Sequence, residues 1–205
     1  FEYIYFARLD STMDGINIYD ARVRAGEALA KSYPVEADLV VGVPDSGIAA
    51  AMGYAKQSHI SYGIAFQKNS YVGRTFIKPT QNERETAVQI KLNIIPSTVK
   101  DKRIILIDDS IVRGTTISKL ITMLKKAGAK EVHVRISSPP FLYPCYYGTD
   151  VPSNHLLIAS KHTNEEICEQ IGADSLGYLN LDDFKVMVND LPLCKACFNQ
   201  QYPVK

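Results

Sequence analysis

No apolar run in this chain approaches the ~20 residues needed to cross a membrane, and no signal peptide is visible. Net charge is nearly missing too: 23 basic and 22 acidic side chains leave +1, which excludes the broad basic face of a general nucleic-acid or membrane binder. Neither G-x-x-x-x-G-K-[ST] nor G-x-G-x-x-G occurs, so the usual nucleotide loops are excluded. The four histidines (His59, His133, His155, His162) show no metal-ligand spacing. There is no internal repeat and no low-complexity tract. Cysteine is scarce, with four in all and two of them as C-x-x-C, a usage that points to a reducing compartment, the cytoplasm, and to a metal or redox role. The chain opens on Phe1 rather than methionine, as an excised piece would.

What is present suits one α/β domain, or one with a small appendage. At 205 residues and 46% hydrophobic content the chain can fill a core, burying roughly 70% of its unfolded surface. Helical spacing covers residues 17–32, with apolar positions at Ile18, Ala21, Ala25, Ala28 and Leu29. The β-branched run 39–43 and the stretches 60–66, 103–107, 132–137 and 155–159 read as strands, and the aromatic stretch 3–7 as an edge strand. Helices are predicted over 48–57, 116–127 (stopped by Gly128), 165–170 and 181–188. Strands separated by helices of this length imply a mainly parallel sheet flanked by helices. Residues 67–86 break the rhythm with neither period. A loop of that length carrying Lys68, Arg74, Lys78 and Arg84 against Glu83 and Glu85 suits a lid over an anionic ligand.

The most informative stretch is R-I-I-L-I-D-D-S-I-V-R-G-T-T, residues 103–116. A buried strand ends in Asp108 and Asp109, then runs through a Ser/Gly/Thr loop into a helix, which places the acids at the carboxyl edge of a parallel sheet. At ~5 Å and an effective dielectric of ~20, two like charges repel by on the order of 3 kcal/mol. A divalent cation or the two vicinal hydroxyls of a ribose would relieve that repulsion. Ser110, Ile111, Val112, Arg113, Gly114, Thr115 and Thr116 supply hydroxyls, backbone amides and a helix start that converge on an anion. Arg113 lies either over that anion or toward solvent.

This stretch resembles the phosphoribosyl pyrophosphate signature of type I phosphoribosyltransferases. F-E-Y-I-Y-F-A-R at 1–8, V-P-D-S-G at 43–47, K-N-S-Y-V-G-R-T-F-I at 68–77 and C-Y-Y-G-T-D at 145–150 are similar to the amidophosphoribosyltransferase branch, which opens purine synthesis. The resemblance implies a type I phosphoribosyltransferase fold across 1–205, with a flexible lid and with a cysteine-bearing part from about 140 to 205. It implies that ammonia attacks C1 of phosphoribosyl pyrophosphate, giving 5-phosphoribosylamine and pyrophosphate. Asp108 and Asp109 would hold the ribose hydroxyls and Mg²⁺, Ser110 to Thr116 the 5′-phosphate, and Pro44, Asp45, Ser46 and Gly47 the pyrophosphate, with Ser46 near the metal. Lys68, Tyr71 and Arg74 would belong to the lid. Leu9 departs from the family's F-A-R-P-D-S and removes a turn constraint beside Asp10.

In that branch ammonia comes from glutamine through an N-terminal glutaminase domain, which these residues do not include. The family's homotetramers and its purine nucleotide inhibitors are further implications. Its iron–sulfur subgroup implies a [4Fe–4S] cluster on Cys145, Cys194 and Cys197, with the fourth ligand just before Phe1. Zinc stays an alternative, since C-x-x-C does not choose its metal. Cys168, beside Ile167 and a turn from Ile171, reads as packing. Rival readings are a nucleobase salvage phosphoribosyltransferase, a phosphoribosyl-pyrophosphate-sensing regulator and a phosphoacceptor domain. The cysteine set, the charge balance and the Gly/Thr loop argue against them in turn.

Overall fold

Alternate residues of three parallel strands feed two separate apolar layers. The computed structural model describes residues 1–69, 92–149 and 153–204. After a helical turn at Glu2–Phe6 comes a hairpin in which β1 (Thr12–Met13) and β2 (Ile16–Asn17) pair antiparallel around Asp14 and Gly15. Both turn residues take positive φ (49° and 76°), as a type I′ turn requires. Helix α1 (Ile18–Ser32) follows at once, with the Asn17 side chain accepting from the Asp20 amide. Next come β3 (Leu39–Gly42), α2 (Ile48–Ser58), and the antiparallel pair β4 (Phe66–Lys68) and β5 (Leu92–Ile94). Beyond them lie α3 (Pro96–Val99), β6 (Arg103–Asp108), α4 (Thr115–Lys126) and β7 (Glu131–Ile136). The described chain finishes with α5 (Asn164–Ile171), β8 (Ser175–Tyr178), α6 (Phe184–Met187) and α7 (Ala196–Asn199).

The main sheet is parallel in the order β3-β6-β7-β8. Val40, Ile105 and Ile107 face α1 and α2, joining Ile18, Ala21, Leu29, Ala51 and Tyr54. Val41, Ile104, Leu106, Val132, Val134 and Ile136 face the other way, joining Leu120, Ile121 and Leu124 of α4 and Ile167 and Ile171 of α5. This is the α/β arrangement expected from sequence. Helix α5 is bounded by a capping box between Thr163 and Glu166 and by Gly172 at φ 76°.

Three expected strands take other forms. Residues 3–7 are not an edge strand: Glu2–Phe6 is a π-helical turn, with its carbonyls drawn onto the side chain of Arg22 rather than onto a neighbouring strand. The run 60–66 touches β3 only through an isolated Val40–Tyr62 bridge, and its last residue, Phe66, instead begins β4. Residues 155–159 fall within two 3₁₀ turns, Asn154–Leu156 and Ile158–Ser160, the second held by the Ser160 hydroxyl on the Leu157 carbonyl at 2.8 Å. The predicted helix at 181–188 is a 3₁₀ turn (Leu181–Asp183) that passes into α6. Strand β8 was not expected, because S-L-G-Y offers few β-branched residues. Its Gly177 is required where the Tyr33 ring lies against it, since a Cβ there would sit 2.7 Å from that ring.

Helices α1 and α2 cross at van der Waals contact because each presents a glycine to the other's backbone. A Cβ on Gly26 would meet the Ala50 carbonyl oxygen at 1.9 Å, and one on Gly53 would meet the Val23 carbonyl oxygen at 2.0 Å. Either Gly26→Ala or Gly53→Ala should therefore force the helices apart, at a cost of about 3 kcal/mol. Gly148→Ala, with nothing within 4 Å of the added carbon, should change stability by less than about 0.5 kcal/mol. Equilibrium denaturation of the three variants measures the difference.

Candidate active site at the carboxyl edge of the sheet

Register brings the two signature loops together. Gly42 of β3 pairs with Ile107 of β6, so the chain leaves both strands at one edge. The Val43 amide donates to the Ile107 carbonyl at 2.9 Å, and the Gly47 amide to the Val43 carbonyl at 2.9 Å. A Cβ on Gly47 would stand 2.5 Å from the Ile107 carbonyl oxygen, so only glycine lets the first loop fold onto β6. The Pro44–Asp45 peptide within that loop is cis.

Asp108 ends β6 and Asp109 follows it, both buried. The Ser46 hydroxyl donates to one Asp109 oxygen at 2.7 Å and the Ser110 hydroxyl to the other at 2.6 Å. Asp108 accepts the Asp109 amide at 2.9 Å, and its carbonyl takes the Ser137 amide at 2.9 Å. Burial pushes the Asp108 carboxyl well above the usual carboxylate range, and the neighbouring Asp109 charge adds to that rise. The like-charge repulsion expected from sequence is thus felt at Asp108, whose charged form is disfavoured. A buried pair with surplus negative charge and a hydroxyl beside it suits a hard divalent cation, and Ser46, Asp108 and Asp109 are the residues placed to hold one.

The loop behind the acids runs from buried Ile111 through half-buried Val112 to exposed Arg113. The Val112 carbonyl accepts the Ile158 amide at 2.9 Å, which ties the loop to the 3₁₀ turn below it. Gly114 takes φ 80°, and no side chain caps the helix that starts after it, leaving the first turn of α4 open toward exposed Thr115 and Thr116. Across the edge, Lys68 forms an ion pair with Asp45. Of the residues singled out in the sequence, Ser46, Asp109 and Ser110 are joined directly, and Asp45 meets Lys68. Tyr71 and Arg74, with most of the expected lid, lie outside the described residues.

One buried cation near this edge was missed. Arg22 on α1 is only 4% exposed. Its guanidinium donates to the Tyr3 carbonyl at 3.0 Å, the Ala7 carbonyl at 2.8 Å and the Glu2 carbonyl at 3.4 Å. Burial lowers its affinity for its proton, while the charges of Asp109 and Glu2 work the other way. A signal existed in the sequence, since position 22 follows Ile18 by four residues and so shares the inward stripe with it.

The cysteines form a second neighbourhood. The Leu142 and Tyr143 amides both donate to the Cys197 carbonyl at 3.0 Å, which joins the Cys145 loop to α7. Burial pushes the Cys145 thiol up, but the amides of Gly148, Tyr147 and Thr149 pointing at the sulfur outweigh it and bring it down to about 7. The Cys197 thiol is pushed up to about 12 by burial, with the charges of Cys145 and Cys194 adding to the rise. Cys197 thus feels the other two thiols. Among the described residues, however, no group of three His, Cys, Asp or Glu side chains stands ready to hold a metal ion. Cys168 lies apart from them, half-buried, with its thiol on the Ala173 carbonyl.

Two loops at one sheet edge, an acid pair and an open helix start are features of a phosphoribosyltransferase, and residues 16–137 match the phosphoribosyl transferase domain. The chain belongs to that family. More particularly, it is 52% identical over 205 residues to the amidophosphoribosyltransferase of Methanocaldococcus jannaschii, covering all of this chain and 44% of that protein. It is 50% identical over 210 residues to the amidophosphoribosyltransferase of Bacillus subtilis, again covering 44% of that protein. A solved structure of the B. subtilis glutamine phosphoribosylpyrophosphate amidotransferase, complexed with ADP and GMP, superposes with a TM-score of 0.89 at 50% identity. That match covers 98% of this chain and 46% of the other. The chain therefore spans less than half the length of these relatives. No helix among the described residues is long and apolar enough to cross a membrane.

The raised Asp108 carboxyl has a measurable consequence. The folded chain keeps a proton that the unfolded chain releases, so the stability it contributes is complete below the ordinary carboxylate range and is lost as pH climbs through the raised value. In metal-free buffer the melting temperature should fall as pH rises above the ordinary carboxylate range. Asp108→Asn should flatten that slope and melt a few degrees higher at neutral pH, on the order of 1 kcal/mol. Thermal melts of both proteins across the pH series decide it.

Proposed function

We propose that this domain transfers an amino group from ammonia to C1 of phosphoribosyl pyrophosphate, forming 5-phosphoribosylamine and pyrophosphate, the first step of purine biosynthesis. The observation that carries the reading is the Ser46–Asp109–Ser110 cluster at the sheet edge of a chain about half identical, along its whole length, to amidophosphoribosyltransferases.

The nitrogen lone pair forms the N–C1 bond as the C1–O bond to pyrophosphate breaks. The leaving pyrophosphate keeps the bonding pair, and the surplus proton on nitrogen passes to it or to solvent. No protein nucleophile is required. Asp108 and Asp109 accept hydrogen bonds from the ribose hydroxyls, while Ser110, Ile111, Val112, Arg113, Gly114, Thr115 and Thr116 surround the 5′-phosphate. Pro44, Asp45, Ser46 and Gly47 line the pyrophosphate. Mg²⁺ on Ser46, Asp108 and Asp109 supplies charge neutralisation for the leaving group when bound. Lys68, which pairs with Asp45, would exchange that carboxylate for a pyrophosphate oxygen, and Tyr71 and Arg74 would join it in excluding water. In this reading the whole of 1–205 acts as the transferase domain, and residues from about 140 onward carry the cysteines.

The same reading makes the domain one part of a longer enzyme. Its partners are a glutaminase domain of the same polypeptide that supplies ammonia from glutamine, further copies in a homotetramer, and inhibitory purine nucleotides. The setting is cytoplasmic. A [4Fe–4S] cluster on Cys145, Cys194 and Cys197 with a ligand preceding Phe1 is supported by the charges of Cys145 and Cys194 acting on the Cys197 thiol. The three side chains would have to turn toward a common centre. Such a cluster would pin the C-terminal segment, and no catalytic step passes through it.

Pyrophosphate release with ammonia alone, and not with adenine or guanine, is the expected activity. A preference for a nucleobase would favour salvage instead. Asp109→Asn should lower kcat/KM by at least about a hundredfold, and wild-type turnover in that variant would overturn its role. The full-length protein purified anaerobically should contain iron and labile sulfide, and Cys194→Ser should remove both. Absence of iron from the parent protein rules out the cluster.

A further inference from the structure

The chain on both sides of Cys145 is tied to the C-terminal segment by hydroxyl and backbone groups, with no sulfur in any of the ties. The Leu142 and Tyr143 amides share the Cys197 carbonyl, each at 3.0 Å. The Pro144 carbonyl accepts the Tyr202 hydroxyl at 2.7 Å. Beyond the cysteine, the Tyr147 hydroxyl donates to the Val204 carbonyl at 3.0 Å and accepts the Val204 amide at 3.4 Å. The Tyr202 ring lies 5.0 Å from that of Tyr146 and 6.4 Å from that of Tyr147, tilted to both. Two tyrosines therefore reach in opposite directions, Tyr147 from the loop to the segment and Tyr202 from the segment to the loop.

The segment is shaped for this contact. Phe198 of α7 packs with Phe141 and Phe184, at 5.3 and 5.7 Å between ring centres, which seats the short helix. Gln200 then takes φ 64°, and the Asn199 side chain accepts the Gln201 amide at 3.0 Å, so the chain turns sharply and brings Tyr202 to the loop. Between the two tyrosine contacts, the Thr149 amide points at the Cys145 sulfur at 3.4 Å. Ligands held by folded chain lose less freedom on capturing a metal than ligands on loose chain, and the groups that hold them set much of the affinity.

We propose that Tyr147 and Tyr202 form a clasp that docks residues 194–204 onto the Cys145 loop, and that they are positioning residues for a metal held by Cys145, Cys194 and Cys197. The metal part of this inference rests on the proposed cluster, whereas the docking part does not. A cluster would add to a segment already docked instead of gathering a loose one. Loss of the metal would then leave the cysteines poised for reloading.

In the full-length protein, exchange of the Gln200 and Gln201 amides, which neither tyrosine hydroxyl touches, reads the docking. Tyr147→Phe combined with Tyr202→Phe removes both hydroxyls and keeps both rings. At roughly fivefold for each hydroxyl, the pair should exchange about twentyfold faster at these amides. Cys145→Ser combined with Cys194→Ser should stay within about threefold of the parent. Tyr54→Phe loses a bond of the same kind, to the Tyr33 carbonyl at 2.8 Å, and serves as the control. It should lower the melting temperature without selectively speeding exchange at Gln200 and Gln201. Parent-like exchange in the tyrosine pair overturns the clasp, as does equally fast exchange in the cysteine pair.

The positioning role has its own readout. Under anaerobic conditions the tyrosine pair should lose iron to a chelator about tenfold faster than the parent, and Tyr54→Phe should lose it at the parent's rate. Equal rates in the tyrosine pair and the parent overturn that role. If the parent holds no iron, the cluster reading fails, and the exchange measurement still decides whether the clasp docks the segment.

Discussion

The contact between Gly47 and the carbonyl of Ile107 is the constraint from which the site follows. Two strands distant in sequence lie side by side, and the loop after the first can settle on the second only where no side chain intervenes. That settling places the Ser46 hydroxyl on Asp109, across 63 residues of sequence. With the loop lifted by the width of a methyl group, Asp109 would lose one of its two hydroxyl partners. The glycine is therefore as much a part of the acid's hydrogen-bonding as the serine is.

Electrostatics at the edge then divide two neighbouring aspartates into different environments. Asp109 is held by two hydroxyls, whereas Asp108 is enclosed, with the next residue's amide as its side-chain partner, and burial drives it toward its neutral form. Adjacent carboxyls that cannot both be charged cheaply form a site primed for a cation. The buried Arg22 guanidinium has its own charge spread over the carbonyls of Glu2, Tyr3 and Ala7.

How much of this could be read in the sequence depended on whether the signal was contiguous. Strands β3 and β6 are buried on both faces and read as apolar runs, β7 alternates Val132, Val134 and Ile136 with His133 and Arg135, and α1 and α4 announce themselves by period. The D-D-S and P-D-S-G stretches are also contiguous, so their membership in one edge was legible once a parallel sheet was assumed. Residues 3–7 misled because aromatic content mimics a strand, while the deciding partner, Arg22, sits far along the chain. Strand β8 escaped notice for the opposite reason: its glycine, demanded by Tyr33, erased the β signature. Arg22 itself was hidden because an arginine inside a helix reads as solvent-facing, although its place four residues after Ile18 pointed inward.

The irregular segment after α2 has an effect beyond the site. Residues 61–63 lie against β3 through two backbone hydrogen bonds, Val40 to the Ser61 carbonyl and Gly63 to the Val40 carbonyl, and then turn away. A full strand there would have presented its own row of unpaired amides outward, ready to recruit another chain. A partial companion takes up both backbone groups of Val40 and offers less of a template in return than a full strand would.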